Sequence, residues 1–242
     1  MKMSTREPVN PFIRFSSLIG EESFYRLSSK CILVLGVGGV GGYVVEAVVR
    51  SGIGKIILVD YDCVEFSNIN RQIIALHSTI GKKKVDVLEE RVKDINPKCE
   101  VIKVDSFIDS ENISSLFSYN IDYFIDCCDT TTTKKQVILE CLKRNIPFLS
   151  CMGTGNKFDP SKLEICDIRK TVNDPLARMI RKFVKDERIK EKIMVLSSFE
   201  LPIKTGERTP YSTSFVPSSA GLLIASYIIQ TFLKENKKEK DD

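Results

Sequence analysis

The sequence predicts an α/β protein: a doubly wound, mostly parallel sheet with helices on both faces, plus a C-terminal extension. Three observations carry this. Short β-rich apolar runs alternate with longer helical patterns through the first 150 residues, as in strands joined by crossover helices. A glycine turn, Gly36-Val-Gly38-Gly39-Val-Gly41, stands between the first run and a helix, which is the Rossmann-like arrangement. The chain has 242 residues, 43% hydrophobic and 28% charged, a balance that excludes fibrous and disordered classes and gives one unit a sizeable core.

In order, the expected strands are Cys31–Gly36, Lys55–Asp60, Glu100–Asp105, Asp122–Cys127 and Pro147–Ser150. Helices are expected at about Gly39–Ser51, Lys83–Asp94, Glu111–Phe117 and Thr131–Arg144. A short helix at Glu21–Ser28 is preceded by an extended arm containing Arg14. Residues 1–150 thus form the arm and a nucleotide-binding core. Residues 151–233 complete the same domain: a loose Gly-containing segment, a helix at about Pro175–Lys185 capped by Asn173 or Asp174 with Pro175 at its first position, a strand at Ile193–Ser197, and an apolar helix at Ser219–Phe232. The charged residues 234–242 predict a disordered tail.

Composition bounds the chemistry. A formal net charge of +4 permits a polyanionic partner without demanding one. None of the eight cysteines is spaced Cys-x-x-Cys, and His77 is the single histidine, so no zinc is expected. The N-terminus has no apolar signal-like core, and the longest apolar stretch, Ala220–Ile229, falls short of the roughly 20 residues of a spanning helix. The expectation is a cytoplasmic protein with no membrane partner.

The glycine turn lets a phosphate approach a helix N-terminus. Asp60, nineteen residues past Gly41 at the end of the second strand, suits a ribose hydroxyl. A hydride-transferring dehydrogenase shares both features, but the lone His77 lies in a polar loop-like stretch and makes a poor acid–base partner for nicotinamide. Arg71 and Lys84 follow the second strand and suit a triphosphate. Lys82 and Lys83 read as a solvated helix start. Asp129, just past the fourth strand, is either an Mg²⁺ ligand or the N-cap of the next helix.

The stretches GVGGVGG, LVDYDCVEFSNINRQ, Gly81…Lys84 and CCDT resemble the adenylating domain shared by ubiquitin-activating enzymes and bacterial activators of sulfur-carrier proteins. The resemblance implies ATP as cofactor, with Gly36, Gly38, Gly39 and Gly41 around the phosphates, and Asp60 on the ribose with Asp62 close by. It places Asn68, Arg71 and Lys84 on the triphosphate, Gln72 among the residues that bind the cofactor, and Mg²⁺ on Asp129. Arg14, in NPFIRFSSLIG, matches the arm arginine that in this family reaches a partner subunit's ATP, implying a homodimer.

Within the family, sulfur-carrier activators usually hold zinc through two Cys-x-x-Cys pairs, and thioester-forming members need an exposed cysteine. Here Cys151 and Cys166 are flanked by apolar residues and read as buried. The block Gly153-Thr-Gly155…Asp159-Pro160…Asp167…Lys170-Thr171…Asp174-Pro175-Leu176 is similar to the tRNA threonylcarbamoyladenosine dehydratases, with a thinner glycine turn in CMGTGNKFDP. This implies ATP-dependent cyclisation of the modified nucleoside by adenylation of its threonyl carboxylate. A tRNA substrate would follow, with an accessory sulfur-transfer protein as a further partner the family allows. Activation of a sulfur-carrier or ubiquitin-like protein is the alternative, and a scaffold that only binds RNA is a third.

The helix after Pro175 bears on the partner independently. Leu176, Met179, Ile180 and Phe183 share helical spacing, and Arg178, Arg181, Lys182 and Lys185 repeat it on another face. Residues 169–192 contain nine basic and four acidic residues. Those four cations are the candidate tRNA contacts, and a solvated face is the competing reading.

Overall fold

The computed structural model describes residues 10–207 and 209–241, with side chains described to residue 234. Residues 1–9 of the expected arm, and Asp242 of the tail, lie outside the described residues.

Seven strands form one sheet in the order β3-β2-β1-β4-β5-β7-β6. They are β1 Cys31–Leu35, β2 Lys55–Val59, β3 Glu100–Val104, β4 Tyr123–Asp126, β5 Phe148–Cys151, β6 Leu163–Asp167 and β7 Met194–Ser198. All neighbours run parallel except β6 against β7. The chain starts at β1, builds outward through β2 and β3, then returns to place β4 on β1's other side. That reversal opens a crevice at the carboxyl ends of β1 and β4.

β1 is buried along its whole length, as expected of a parallel strand covered on both faces. Ile32, Val34, Ile56 and Leu58 pack into one layer with α3 (Gly41–Arg50), α4 (Lys84–Ile95) and α7 (Phe215–Asp241). Leu33, Leu35, Ile57 and Val59 face the other, which includes α5 (Thr131–Arg144). α6 (Pro175–Asp186) packs Ala177, Ile180 and Val184 on Ile193 and Val195 near the far end of the sheet.

Several expectations need correction. Arg14 lies in a short helix, α1 (Ile13–Ile19), ahead of α2 (Glu21–Ser28), rather than in an extended arm. The helix expected at Glu111–Phe117 is a 3₁₀ segment at Ile113–Ser118. There Asp109 and Asn112 side chains and the hydroxyls of Ser115 and Ser118 bind nearby main chain, competing with α-helical pairing. β6 was missed because, among the described residues, it pairs only antiparallel with β7, which comes later in the chain, so no local strand–helix alternation marks it. On α6 the buried stripe is Ala177, Ile180 and Val184, with Leu176 and Phe183 flanking it and Met179 exposed.

The charged segment 234–241 continues α7 instead of fraying into coil, consistent with the helix-forming tendency of Lys and Glu. α7 also contains a 20-residue apolar stretch, Phe215–Lys234, longer than the sequence run suggested because Ser, Tyr, Gln and Thr interrupt it. Half of that stretch is buried within the protein, where Val216, Ala220, Ile224 and Ile228 enter the core. It is a core helix by its contacts.

Candidate functional site: a nucleotide pocket at the switch point

The crevice holds a cavity of about 340 Å³. Its lining comes from the segments that follow β1, β2, β3 and β4, from the 66–72 segment, and from the C-terminal part of the chain. Gly36, Gly38, Gly39, Asp60, Asp62, Asn68, Arg71, Gln72, Lys84 and Asp129 all line it. Sequence reasoning therefore named most of the charged and glycine positions of one cavity.

The turn after β1 is shaped by two glycines. Gly36 has φ +83°, and a Cβ there would lie 2.9 Å from the Cys127 carbonyl and the Cys128 nitrogen, so only glycine lets β1 pass this close to the end of β4. A Cβ on Gly41 would sit 1.9 Å from the Gly36 oxygen. Gly41 is buried, and its lack of a side chain lets α3 start against the turn.

Asp60 braces this turn. Its Oδ2 accepts from Val37 N at 2.8 Å and its Oδ1 from Asp62 N at 2.9 Å. A carboxylate oxygen can accept more than one hydrogen bond, so Asp60 retains capacity for ribose hydroxyls. Lys84, the first residue of α4, places Nζ 2.6 Å from Asp62 Oδ2 and 4.0 Å from Asp60 Oδ1. Lys83 instead turns outward to Asp105, consistent with its reading as a solvated residue.

In the 66–72 segment, Asn68 is buried and its Oδ1 accepts from Glu65 N at 3.1 Å. Arg71 Nη1 donates to Ser67 O and to Asn70 Oδ1. Its Nε and Nη2 have no protein partner among the described residues, and its Cγ lies over Gly39. The buried Gln72 Oε1 also lacks a partner among the described residues, and its amide faces Gly38. A buried amide oxygen left unpaired at a cavity wall suits a polar ligand.

Beyond β4, Cys127, Cys128, Asp129 and Thr130 continue the wall. The N-cap position of α5 belongs to Thr130, which removes the capping role considered for Asp129. The Asp129 carboxylate is exposed, with Thr130 Oγ1 at 3.4 Å and no cationic partner among the described residues. Beneath it lies a fully buried cluster. Asp126 Oδ2 receives Lys134 Nζ at 3.0 Å and Ser150 Oγ at 2.6 Å, while its Oδ1 accepts from Cys128 N at 3.1 Å. Burial would lower the Lys134 pKa, but the Asp126 charge outweighs it and raises it.

Sequence reasoning missed an aromatic wall. Tyr61 and Phe107 line the cavity and meet edge to face with ring centroids 5.1 Å apart. Both follow parallel strands, so the rule that ligands bind beyond strand carboxyl ends could have flagged them. Thr154, three residues past β5, falls under the same rule, whereas Ser212 and Pro217 were missed because only folding brings the C-terminal part over the turn. His77 is exposed, stacked edge-on with Phe66 and outside the cavity.

Arg14 is exposed and does not line its own cavity. Asp174 caps α6 through Leu176 N and Ala177 N, and its other oxygen accepts from Gly153 N. Arg169, Arg178, Arg181, Lys182, Lys185 and Arg188 line a separate groove of about 600 Å³. Arg181 there donates to Thr171 O at 2.7 Å and to Thr171 Oγ1.

A family model described as the ThiF family matches residues 11–240. The chain belongs to the ThiF family. This ThiF-family chain is 41% identical to the tRNA threonylcarbamoyladenosine dehydratase of Bacillus subtilis (strain 168), over 96% of its own length and 99% of the relative's. It is 38% identical to the enzyme of that name from Escherichia coli (strain K12), over 70% and 63% of the two chains. The crystal structure of E. coli tRNA N6-threonylcarbamoyladenosine dehydratase with ATP superposes with TM-score 0.88 and 31% identity, covering 94% of this ThiF-family chain and 96% of that one. The same protein with AMP gives TM-score 0.89.

Proposed function

We propose that the protein dehydrates threonylcarbamoyladenosine in tRNA to its cyclic form at the expense of ATP, by adenylating the threonyl carboxylate. The observation that carries this reading is the convergence of Asp60, Arg71, Lys84 and Asp129 on one cavity beside the glycine turn. Its closeness to named dehydratases, one of them bound to ATP, supports the same conclusion.

The threonyl carboxylate is a poor electrophile with a poor leaving group. Attack of a carboxylate oxygen on the α-phosphorus breaks the bond to the bridging oxygen and releases pyrophosphate, leaving an acyl-adenylate. A nitrogen of the same side chain then attacks the acyl carbon, AMP departs with the bonding electrons, and the nitrogen loses its proton to solvent. The nucleoside has lost one water overall. The second step is intramolecular and needs no enzyme nucleophile.

Each wall has a task in this scheme. Asp60, held by two main-chain N–H groups, accepts from the ribose. Tyr61 and Phe107 offer apolar surface to adenine. Gly38 and Gly39 leave the turn open to phosphate at the α3 N-terminus. Arg71, through its unpaired nitrogens, and Lys84 offset charge that grows on the phosphoryl oxygens. Asp129 is the cavity carboxylate without a cationic partner, which fits one protein ligand for Mg²⁺ shared with phosphates. When bound, that ion supplies charge neutralisation at the leaving pyrophosphate.

Three further parts of the proposal concern partners and location. A homodimer would bring Arg14 of one subunit to the ATP of the other. Arg178, Lys182 and Lys185, exposed and without partners among the described residues, would meet tRNA phosphates, whereas Arg181 braces α6 through Thr171. All eight cysteines are free, which suits a reducing cytoplasm. The test is AMP and pyrophosphate release from ATP. Release that requires modified tRNA supports the proposal, and release driven instead by a small protein with a Gly-Gly C-terminus supports the sulfur-carrier or ubiquitin-like alternative.

A further inference from the structure

Phe158 and Phe215 meet edge to face, ring centroids 5.0 Å apart, yet are 61% and 40% exposed. They stand beside the nucleotide cavity. Phe158 follows Thr154 by four residues and Phe215 precedes Pro217 by two, and both Thr154 and Pro217 line the cavity.

The pair is braced from several sides. The Glu200 carboxylate accepts from the main-chain N–H of Phe158 and of Asp159. The Lys157 ammonium is buried and donates to the carbonyls of Asn173 and Glu200. Asn156, at φ +56°, ties down the segment after β7 by exchanging bonds with Tyr211 and accepting from Ile203 N. Asn70, next to Arg71, donates to Ser212 O at 3.0 Å. On the far side, Pro202 of that segment shares a cleft of about 280 Å³ with Arg178 and Arg181. That cleft shares Arg178 and Arg181 with the cationic groove, so the segment that braces the pair adjoins the groove.

We propose that Phe158 and Phe215 form a base-stacking shelf for single-stranded RNA beside the adenylation cavity. The strand's phosphates run on toward Arg178, Lys182 and Lys185. The inference rests on the tRNA reading above and deepens it. A base whose side chain must enter the cavity has to leave its own stack, and unstacked bases are held against aromatic faces. Complementarity favours RNA over a second copy of this chain as the occupant. The adjoining groove presents six basic residues, of which Arg169 is already paired with Asp167. The other five have no acidic partner among the described residues, and a polyanion would neutralise them where an identical surface would repel them.

The test compares Phe158→Ala, Phe158→Leu and Phe215→Ala with the native protein. Fluorescence anisotropy reads the affinity for labelled single-stranded oligoadenylate, calorimetry the affinity for ATP, and light scattering the assembly mass. Phe158→Leu keeps apolar bulk but removes the ring face, so it separates stacking from packing. All three variants are expected to weaken RNA binding about 5- to 150-fold, the loss of one stacked base, with ATP affinity and mass unchanged. Native RNA affinity in Phe158→Leu overturns the shelf. So does a change in assembly mass that accounts for the weaker binding, which makes the pair a subunit contact. Binding is read without turnover, so a native protein that binds RNA but leaves the nucleoside unchanged counts against the dehydratase reading and not against the shelf.

Discussion

Lys84 Nζ lies 2.6 Å from Asp62 Oδ2 and 4.0 Å from Asp60 Oδ1, although the lysine is only 6% exposed. One buried cation thus stands between two carboxylates at the cavity wall, and those carboxylates would otherwise repel a triphosphate. The pair also ties the first turn of α4 to the end of β2, so the charge and the shape of the wall depend on the same contact.

Lys84→Met should therefore damage more than a hydrogen bond. It leaves Asp60 and Asp62 uncompensated beside ATP, and the expected result is a fall of about 100- to 1000-fold in kcat/KM, the scale of losing one transition-state donor. Lys84→Arg should recover part of it. Steady-state pyrophosphate release measures both, and near-native turnover in Lys84→Met would remove Lys84 from the mechanism.

The buried Asp126–Lys134 pair makes a prediction about stability. Lys134→Met strands the Asp126 carboxylate in the core and should cost about 3–5 kcal/mol. Adding Asp126→Asn to it should recover much of that loss, because no charge is then left unpaired. Urea unfolding of the single and double variants measures the coupling, and simple additivity would show that the pair does not act as a unit.

Glu46 gives a pH dependence. Burial alone would raise its pKa, but hydrogen bonds and charge from Arg91 and Arg50 outweigh this and hold it below the ordinary glutamate value of 4.5. Its folded-state pKa is depressed, so its contribution is fully present above about pH 4.5 and is lost as pH falls through the folded value. Glu46→Gln should lower stability at pH 7 and flatten the acid limb of stability against pH. An acid limb of unchanged slope would assign that limb to other carboxylates.

Cysteine chemistry separates the proposed reaction from thioester formation. Cys151 and Cys166 are 4% and 6% exposed. Burial pushes the Cys151 thiol up to about 12 and raises that of Cys166. Neither suits a nucleophile near neutral pH. Iodoacetamide should label neither in the folded protein, and Cys151→Ala with Cys166→Ala should retain turnover. A dead double variant that remains folded would point to a covalent intermediate.

The core of the fold was legible because parallel strands buried on both faces read as unbroken apolar runs, as in Ile56–Val59. Gly36, Asp60 and Asp129 could be placed because each follows a strand that was recognised. What could not be read depended on distance along the chain. β6 pairs only with its antiparallel partner β7 among the described residues, and Ser212 and Pro217 reach the cavity only when the last third folds back over the turn. One motif serves two purposes: Gly38 and Gly39 line the cavity, while Gly41 lets a helix touch a carbonyl. The apolar spacing on α6 was recognised, but the buried stripe was misplaced, since Ala177 and Val184 carry contacts that larger Met179 does not.

The central claim is tested most directly by mass spectrometry of nucleosides from tRNA incubated with the protein, ATP and Mg²⁺. Threonylcarbamoyladenosine should lose the mass of one water with native protein, and should persist with folded Arg71→Ala or Asp129→Ala. An unchanged nucleoside with native protein that binds both ATP and tRNA, or native-level conversion by either variant, would contradict the account.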